Sequence, residues 1–261
     1  GDPVVEAARQ HAAQVLAGPQ LALGANSPFF FGHELQAENR IDVFTQATDT
    51  RPIEYANQGV RPRVFFGERW ITSIFDLFEE NSRYFPALLH EVTPEDPRAV
   101  FAAGGTPELA EMRLHNGTIY RWNRPVYDIV DGRAHVRLEN RVLPAGPTIV
   151  DTLANAAFYY GVVHMLASQT VAPEARIPFA VARDNFYRAA RYGLQAPLVW
   201  FDGQRATAAE LLARELLPMA RVGLAQLDLA ASDVERYLGV IAARLQSGQN
   251  GANWQLAHYA K

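Results

Sequence analysis

The sequence predicts an α+β fold in which an antiparallel sheet packs against several helices and the C-terminal region is helical. Three observations carry this. The stretch TIYRWNRPVYDIV, residues 118–130, is rich in β-branched and aromatic side chains. Asp131-Gly132 then supplies a two-residue hairpin turn into AHVRLENRVL. From Thr148 onward the apolar residues recur at helical spacing through most of the chain.

Taken in order, VVEAARQHAAQVLAGPQLAL, residues 4–23, reads as a helix interrupted near Gly18-Pro19, where a donor is missing and the proline ring clashes with the preceding turn. The stretch GANSPFFFGHE follows as a loop. Residues 71–89, ITSIFDLFEENSRYFPALL, have the three-to-four spacing of an amphipathic helix that exposes Glu79, Glu80 and Arg83. The next segment is rich in Pro and Gly, with Thr106 placed to cap a short helix that has Pro107 at its first position.

In the central hairpin, side chains alternate across the strand. Arg137, Glu139 and Arg141 therefore share one face and Val136, Leu138 and Val142 the other. After Pro147, Thr148 is expected to cap a helix reaching about Ala167, with Asp151 in the capping-box position. DNFYRAARYGL, TAAELLARELLPMARVGLAQL and SDVERYLGVIAARLQSG also read as helical, with Leu211, Leu212, Leu216 and Leu217 in one stripe. No repeat or domain boundary is visible, and residues 1–261 are read as a single domain.

Composition narrows the function. Hydrophobic residues make up 49% and charged residues 20%, which is ordinary globular composition, and the net charge of -4 gives no reason to expect a nucleic acid or an anionic membrane. The absence of cysteine excludes disulfides, thiolate metal ligation and cysteine catalysis. No apolar run is long enough for a membrane span, and the first residues lack a secretory pattern, so a cytoplasmic location is expected. Phosphate-loop, dinucleotide, zincin and hydrolase signatures are absent.

What remains is a dense set of arginines: Arg61, Arg63, Arg69, Arg121, Arg124, Arg137 and Arg141. Guanidinium forks match carboxylates and phosphates bidentately, so the set reads either as an anion site or as a solvated face of cross-strand ion pairs. His115 and His135 are candidates for proton transfer or structural residues. Asn116-Gly117-Thr118 reads as a turn. Phe29, Phe30, Phe31, Tyr159 and Tyr160 read as core. Asp184, Asn185, Arg188 and Arg191 share a helical neighbourhood suited to ion pairing.

The stretch ALGANSPFFFGHELQAENRIDVFTQATDTR resembles a segment of the glutamate-cysteine ligase family of the plant and actinobacterial type, through Ala25, Asn26, Ser27, Pro28, Phe29, Gly32, Arg40 and Arg51. The strand with Glu139 and Arg141 is similar to that family's Glu-x-Arg strand and, more distantly, to that of glutamine synthetase. RDNFYRAARYGLQA and SGQNGANWQ resemble two further family segments, in the same order.

The resemblance implies a glutamine-synthetase-like sheet, present in part. It also implies a ligase of glutathione biosynthesis that uses ATP and magnesium to join the side-chain carboxylate of glutamate to an amine, cysteine in the family, through an acyl phosphate. On it, Glu139 is the magnesium ligand and Arg141 stabilises the transferring phosphoryl group. Arg137 orients Glu139 or binds phosphate, and Asn26, Arg40 and Arg51 bind substrate or phosphate. The family's N-terminal half, with further metal ligands on a Glu-x-Glu and a Gln-x-His strand, has no counterpart here. The chain is thus expected to match the C-terminal half of a longer ligase, to need a missing half or second subunit, and to be inactive alone. The alternatives are a non-catalytic anion- or nucleotide-binding module and a structural domain.

Overall fold

In the computed structural model, which describes residues 2–49 and 51–259, the elements follow one another as α1 Pro3–Gly24, β1 Phe29–Phe30, β2 His33–Glu34, α2 Arg40–Ala47, α3 Ile53–Asn57, β3 Val64–Phe65, α4 Phe75–Tyr84, α5 Pro97–Ala102, α6 Ala110–Gly117, β4 Tyr120–Arg121, β5 Asn123–Val130 and β6 Arg133–Asn140. The rest comprises α7 Ile149–Ala167, α8 Pro173–Arg176, α9 Phe179–Tyr192, β7 Pro197–Val199, β8 Arg205–Thr207, α10 Ala208–Leu211, α11 Leu217–Gln226, α12 Ala231–Ser247 and α13 Gly251–Tyr259. The fold is α+β with helix predominating, and the strands pair as two-stranded ladders, β1-β2, β5-β6 and β7-β8 antiparallel and β3-β4 parallel. Among the described residues no helix is long and apolar enough to cross a membrane.

Contacts divide the chain into two compact units. The first takes the residues up to Gln10, Phe44–Gly67 and Ile71–Arg141. Its centre is the β5-β6 hairpin, turned by Asp131 (φ 50°) and Gly132 (φ 71°). Positive φ at both central residues matches the right-handed twist of the strands, which is why Asp-Gly marks the turn in the sequence. The apolar face of this ribbon puts Val136 against Ala7, Ile71, Ile74 and Leu77, with Tyr127 and Leu138 packed alongside. A second small cluster joins Phe65, Phe85 and Ile119.

Two expectations change in this unit. Glu80, placed on the exposed face of α4 by its spacing, is 9% exposed and bonds Arg121 at 2.9 Å. Desolvating either ion alone would be costly, and pairing is what permits both to be buried. Thr106 does not cap a helix; its hydroxyl donates to Gly132 O and ties the loop to the hairpin turn. The short helix that follows Thr106, α6, starts only at Ala110 without a side-chain cap, and a separate helix starts at Pro97, where the Asp96 side chain accepts from Arg98 N and Ala99 N.

The second unit takes His11–Val43, Glu68–Trp70 and the chain from Val142. Thr148 caps α7 by accepting from Asp151 N, as the motif predicts. Leu211, Leu212 and Leu216 are fully buried. The turn between α10 and α11 widens over Leu212–Leu216 just before Pro218, which has no N–H to continue the ladder. Helix α1 runs through Gly18-Pro19 rather than breaking there. An internal proline costs about 3 kcal/mol. Val15, Leu16, Leu21 and Leu23 are each 0% exposed, and burial at roughly 1.5–3 kcal/mol per side chain exceeds that cost. Gly18 also suits a close approach, since a Cβ there would lie 2.9 Å from the backbone of Asn185.

The loop after α1 contains a hairpin turned at Phe31 and Gly32, leaving Phe31 87% exposed rather than in the core, with Phe30 also exposed. Tyr159 is buried but Tyr160 is not. The hairpin β7-β8 and helix α13 are not visible in the sequence pattern. Asn185 grips β7 through both ends of its amide, donating to Val199 O at 2.6 Å and accepting from Val199 N at 3.0 Å. Arg188 donates to Pro197 O, and among the described residues no ion pair joins Asp184, Arg188 and Arg191.

Helices α7 and α11 meet glycine to glycine. A Cβ on Gly161 would lie 2.9 Å from Ala220 Cα, and one on Gly223 would lie 2.8 Å from the carbonyl carbon of Gly161. Gly161→Ala is therefore expected to destabilise the protein by about 1–3 kcal/mol through overpacking. Urea denaturation beside Gly239→Ala, at a glycine with open space around it, checks this; equal midpoints would contradict the packing assignment.

Candidate functional site

In the first unit, register places Arg124 opposite Glu139. Glu139 Oε2 accepts from Arg124 Nε at 2.8 Å and from Arg141 Nε at 2.9 Å. Arg124 also reaches the carbonyl oxygens of Asn116 and Gly117, and the Arg141 guanidinium lies 4.9 Å from the centre of the Tyr120 ring. Strand β6 ends at Asn140, so Arg141 is brought back to Glu139 by its own backbone, whose N–H donates to Trp122 O. Burial lowers the Arg124 pKa and the charge of Arg141 lowers it further. For Glu139, burial pushes the carboxyl up, but hydrogen bonds and charge from Arg141 and Arg124 outweigh it and leave the group below its ordinary range.

The other predicted residues of this unit lie elsewhere in it. Arg137 pairs with Asp128 at 3.3 Å, and Asp128 also takes Arg113. Arg51 is locked on Asp49 through Nε at 2.7 Å and Nη2 at 2.6 Å and also donates to Val60 O. Arg61 and Arg63 face the Tyr84 and Phe85 rings. The dense arginines of the sequence thus separate into several ion pairs and ring contacts. His115 Nε2 lies 3.1 Å from Asn81 O, and buried Asn116 bonds Asn81 and Pro125, which makes the Asn-Gly-Thr stretch structural.

Magnesium is a hard cation that takes several oxygens. Glu139 already faces two guanidinium charges, and among the described residues no three side chains of His, Cys, Asp or Glu converge as a metal group. The residues present do not by themselves fit the ion, so Glu139 is better described as the carboxylate that sets its two arginines.

In the second unit, Glu38 gathers the Asn26 segment. One carboxylate oxygen accepts from Asn26 N at 2.9 Å; the other accepts from the Ser27 hydroxyl and lies 3.6 Å from Arg40 Nε. Arg40 Nη2 donates to Val142 O at 2.6 Å, and burial lowers the Arg40 pKa even though Glu38 opposes it. Glu38 is fixed in turn by α9, since its N–H donates to Ala190 O and that of Ala37 to Arg191 O. From the other side, Gln255 Nε2 donates to Asn26 O at 2.7 Å and Oδ1 at 3.2 Å. Gly251 admits this approach, because a Cβ there would lie 2.6 Å from Asn26 Cγ.

This arrangement walls a cavity of about 500 Å³ lined by Asn26, Asp151, Arg244, Asn250, Trp254 and Gln255 among others. Arg244, 7% exposed, donates to Asp151 at 2.8 Å, to Asn155 at 2.7 Å and to Leu23 O. Burial raises the Asp151 carboxyl, but Thr148 and Arg244 outweigh that and hold it below its ordinary range. Sequence reasoning placed Asn26 and Arg40 in a site, met Gln255 only as part of a resembling segment, passed over Glu38 and Arg244, and saw Asp151 only as part of a cap. The signal available for Glu38 is a carboxylate inside the stretch that carries the family resemblance.

Glu139 and Asp151 are both more acidic in the folded protein, so each contributes stability above its unfolded pKa of about 4 that is lost as pH falls through the lower folded value. The urea midpoint is expected to drop between pH 6 and pH 2.5, and to drop less in a Glu139→Gln, Asp151→Asn double variant. An unchanged pH dependence in that variant would refute the assignment.

Comparison with curated proteins gives no match. The family model for glutamate-cysteine ligase family 2 (GCS2) matches residues 3–260. Both the Glu139 and the Glu38 clusters fall within that match, as do all the segments whose resemblance was noted in the sequence. The chain belongs to glutamate-cysteine ligase family 2.

Proposed function

We propose that this chain serves the ATP-dependent joining of the side-chain carboxylate of glutamate to an amine, with cysteine the expected acceptor. In this reading a carboxylate oxygen attacks the terminal phosphorus of ATP and ADP leaves. The amine nitrogen then attacks the acyl carbon, phosphate leaves, and the nitrogen gives up a proton. Family membership supports the reaction class. The observation that carries the residue assignment is the pair of guanidiniums converging on Glu139.

Two arginines close enough for one to lower the pKa of the other gain from an additional anion. Planar forks held beside the transferring phosphoryl oxygens stabilise charge that grows in the transition state. Arg141 has that role in this reading, with Glu139 as the positioning carboxylate. Arg137 and Arg51 would bind phosphate by exchanging Asp128 and Asp49 for it. In the second unit, Asn26 and Arg40 act in substrate binding through the Glu38 network. Magnesium would enter on the nucleotide phosphates, with its protein ligands drawn from another part of a longer ligase of which this chain is the C-terminal half. A cytoplasmic setting, where ATP is supplied, suits this chemistry.

The test is ADP release with ATP, magnesium, glutamate and cysteine, by the chain alone and with the N-terminal portion of a family member added. Arg141→Lys is expected to lower kcat by about 10²-fold while changing KM for ATP only a few-fold, since the charge remains and the fork is lost. Equal effects on both constants would remove the transition-state role. No glutamate-dependent ADP release from folded protein in either mixture would overturn the ligase reading.

A further inference from the structure

The cavity of the second unit is a built pocket whose chemistry differs from that of an anion site. Among the described residues the opposed charges that line it, Arg244 and Asp151, meet at 2.8 Å and neutralise each other. The remaining polar lining comes from neutral amides. Hydrogen bonds among the described residues engage Asn26 and Asn250 at both the nitrogen and the oxygen of their side chains. Gln249 also lines the cavity and is exposed; among the described residues its side-chain amide makes no hydrogen bond, and Gln255 Oε1 makes none either. A primary amide can donate to and accept from one edge of a purine at once.

The indole of Trp254 also lines the cavity and is 48% exposed, although large aromatics usually gain most by full burial. His258 stacks on it with ring centres 4.2 Å apart, and His258 Nδ1 lies 2.7 Å from Trp254 O. The imidazole thus fixes the indole as a flat platform with one face covered. A fixed aromatic face beside an amide with both of its hydrogen-bonding ends available is a recognition set for a planar, neutral, nitrogen-rich ring. The volume of about 500 Å³ falls in the range of small-ligand pockets.

We propose that this pocket binds the base of a nucleoside, with the ring stacked on Trp254 and its edge read by Gln249 and Gln255. The choice of adenine among bases rests on the ATP-dependent reading; the assignment to a base rests on the pocket alone. Adenosine is the probe, because without phosphates it leaves the arginine clusters out of the measurement.

Calorimetric titration is expected to show adenosine binding to the wild-type chain. Trp254→Ala should weaken it about tenfold or more, Gln249→Ala should weaken it less, and Trp254→Phe, which keeps a stacking ring, should restore most of it. Circular dichroism establishes that each variant is folded, and Gln249→Ala decides the matter should Trp254→Ala fail to fold. No binding by folded wild type, or equal affinity in the variants, would overturn the proposal. Adenosine binding without glutamate-dependent ADP release would keep the pocket and reject the ligase; ADP release with adenosine binding absent would do the reverse.

Discussion

A carboxylate taken out of water must find donors, and Glu38, 1% exposed, finds them in the chain just before and just after it. It is the hub on which the second unit's site depends. The two carboxylate oxygens hold the Asn26-Ser27 segment and α9 holds the backbone of Glu38 itself, so this stretch and a helix far away in sequence become one hydrogen-bonded piece. Helix α13 joins it through Gln255, and the cavity exists because these pieces are fixed. Neutralising Glu38 would leave the donors around it without their acceptor, which is the expensive way to lose a buried hydrogen bond.

The first unit solves the same problem on a different scaffold. A hairpin supplies register, register sets Arg124 across from Glu139, and the backbone bond of Arg141 to Trp122 returns a second guanidinium to the same oxygen. Position here comes from main-chain geometry, which is rigid, more than from loops. Sites built on strands hold their side chains closely, a property that charge stabilisation in a transition state requires.

Much of this was legible in the sequence. Asp131-Gly132 announced the hairpin because few residues tolerate positive φ in succession, and Thr148 with Asp151 announced the start of α7 because orphan N–H groups need a nearby acceptor. Alternation correctly put Glu139 on the charged face, and the segment resemblance correctly pointed to the family. The partner of Glu139 was harder. Pattern offered Arg137, two residues away on the same face, whereas pairing across the ladder gave Arg124 and left Arg137 to Asp128.

The sequence by itself determined the local events, namely turns, caps, helical stripes and membership of a ligase family, because each depends on residues within a few positions of one another or on a linear motif. Tertiary structure alone decided that α1 continues through Pro19, that Glu80 and Glu38 are buried, that Gly161 meets α11, and that the Asn26 loop and the C-terminal helix wall one cavity. The reason is energetic. Burial and ion pairing act between distant segments with strengths that exceed a proline's local cost or a helix's preference for which face to expose, and no spacing rule along the chain encodes which distant partner will be there.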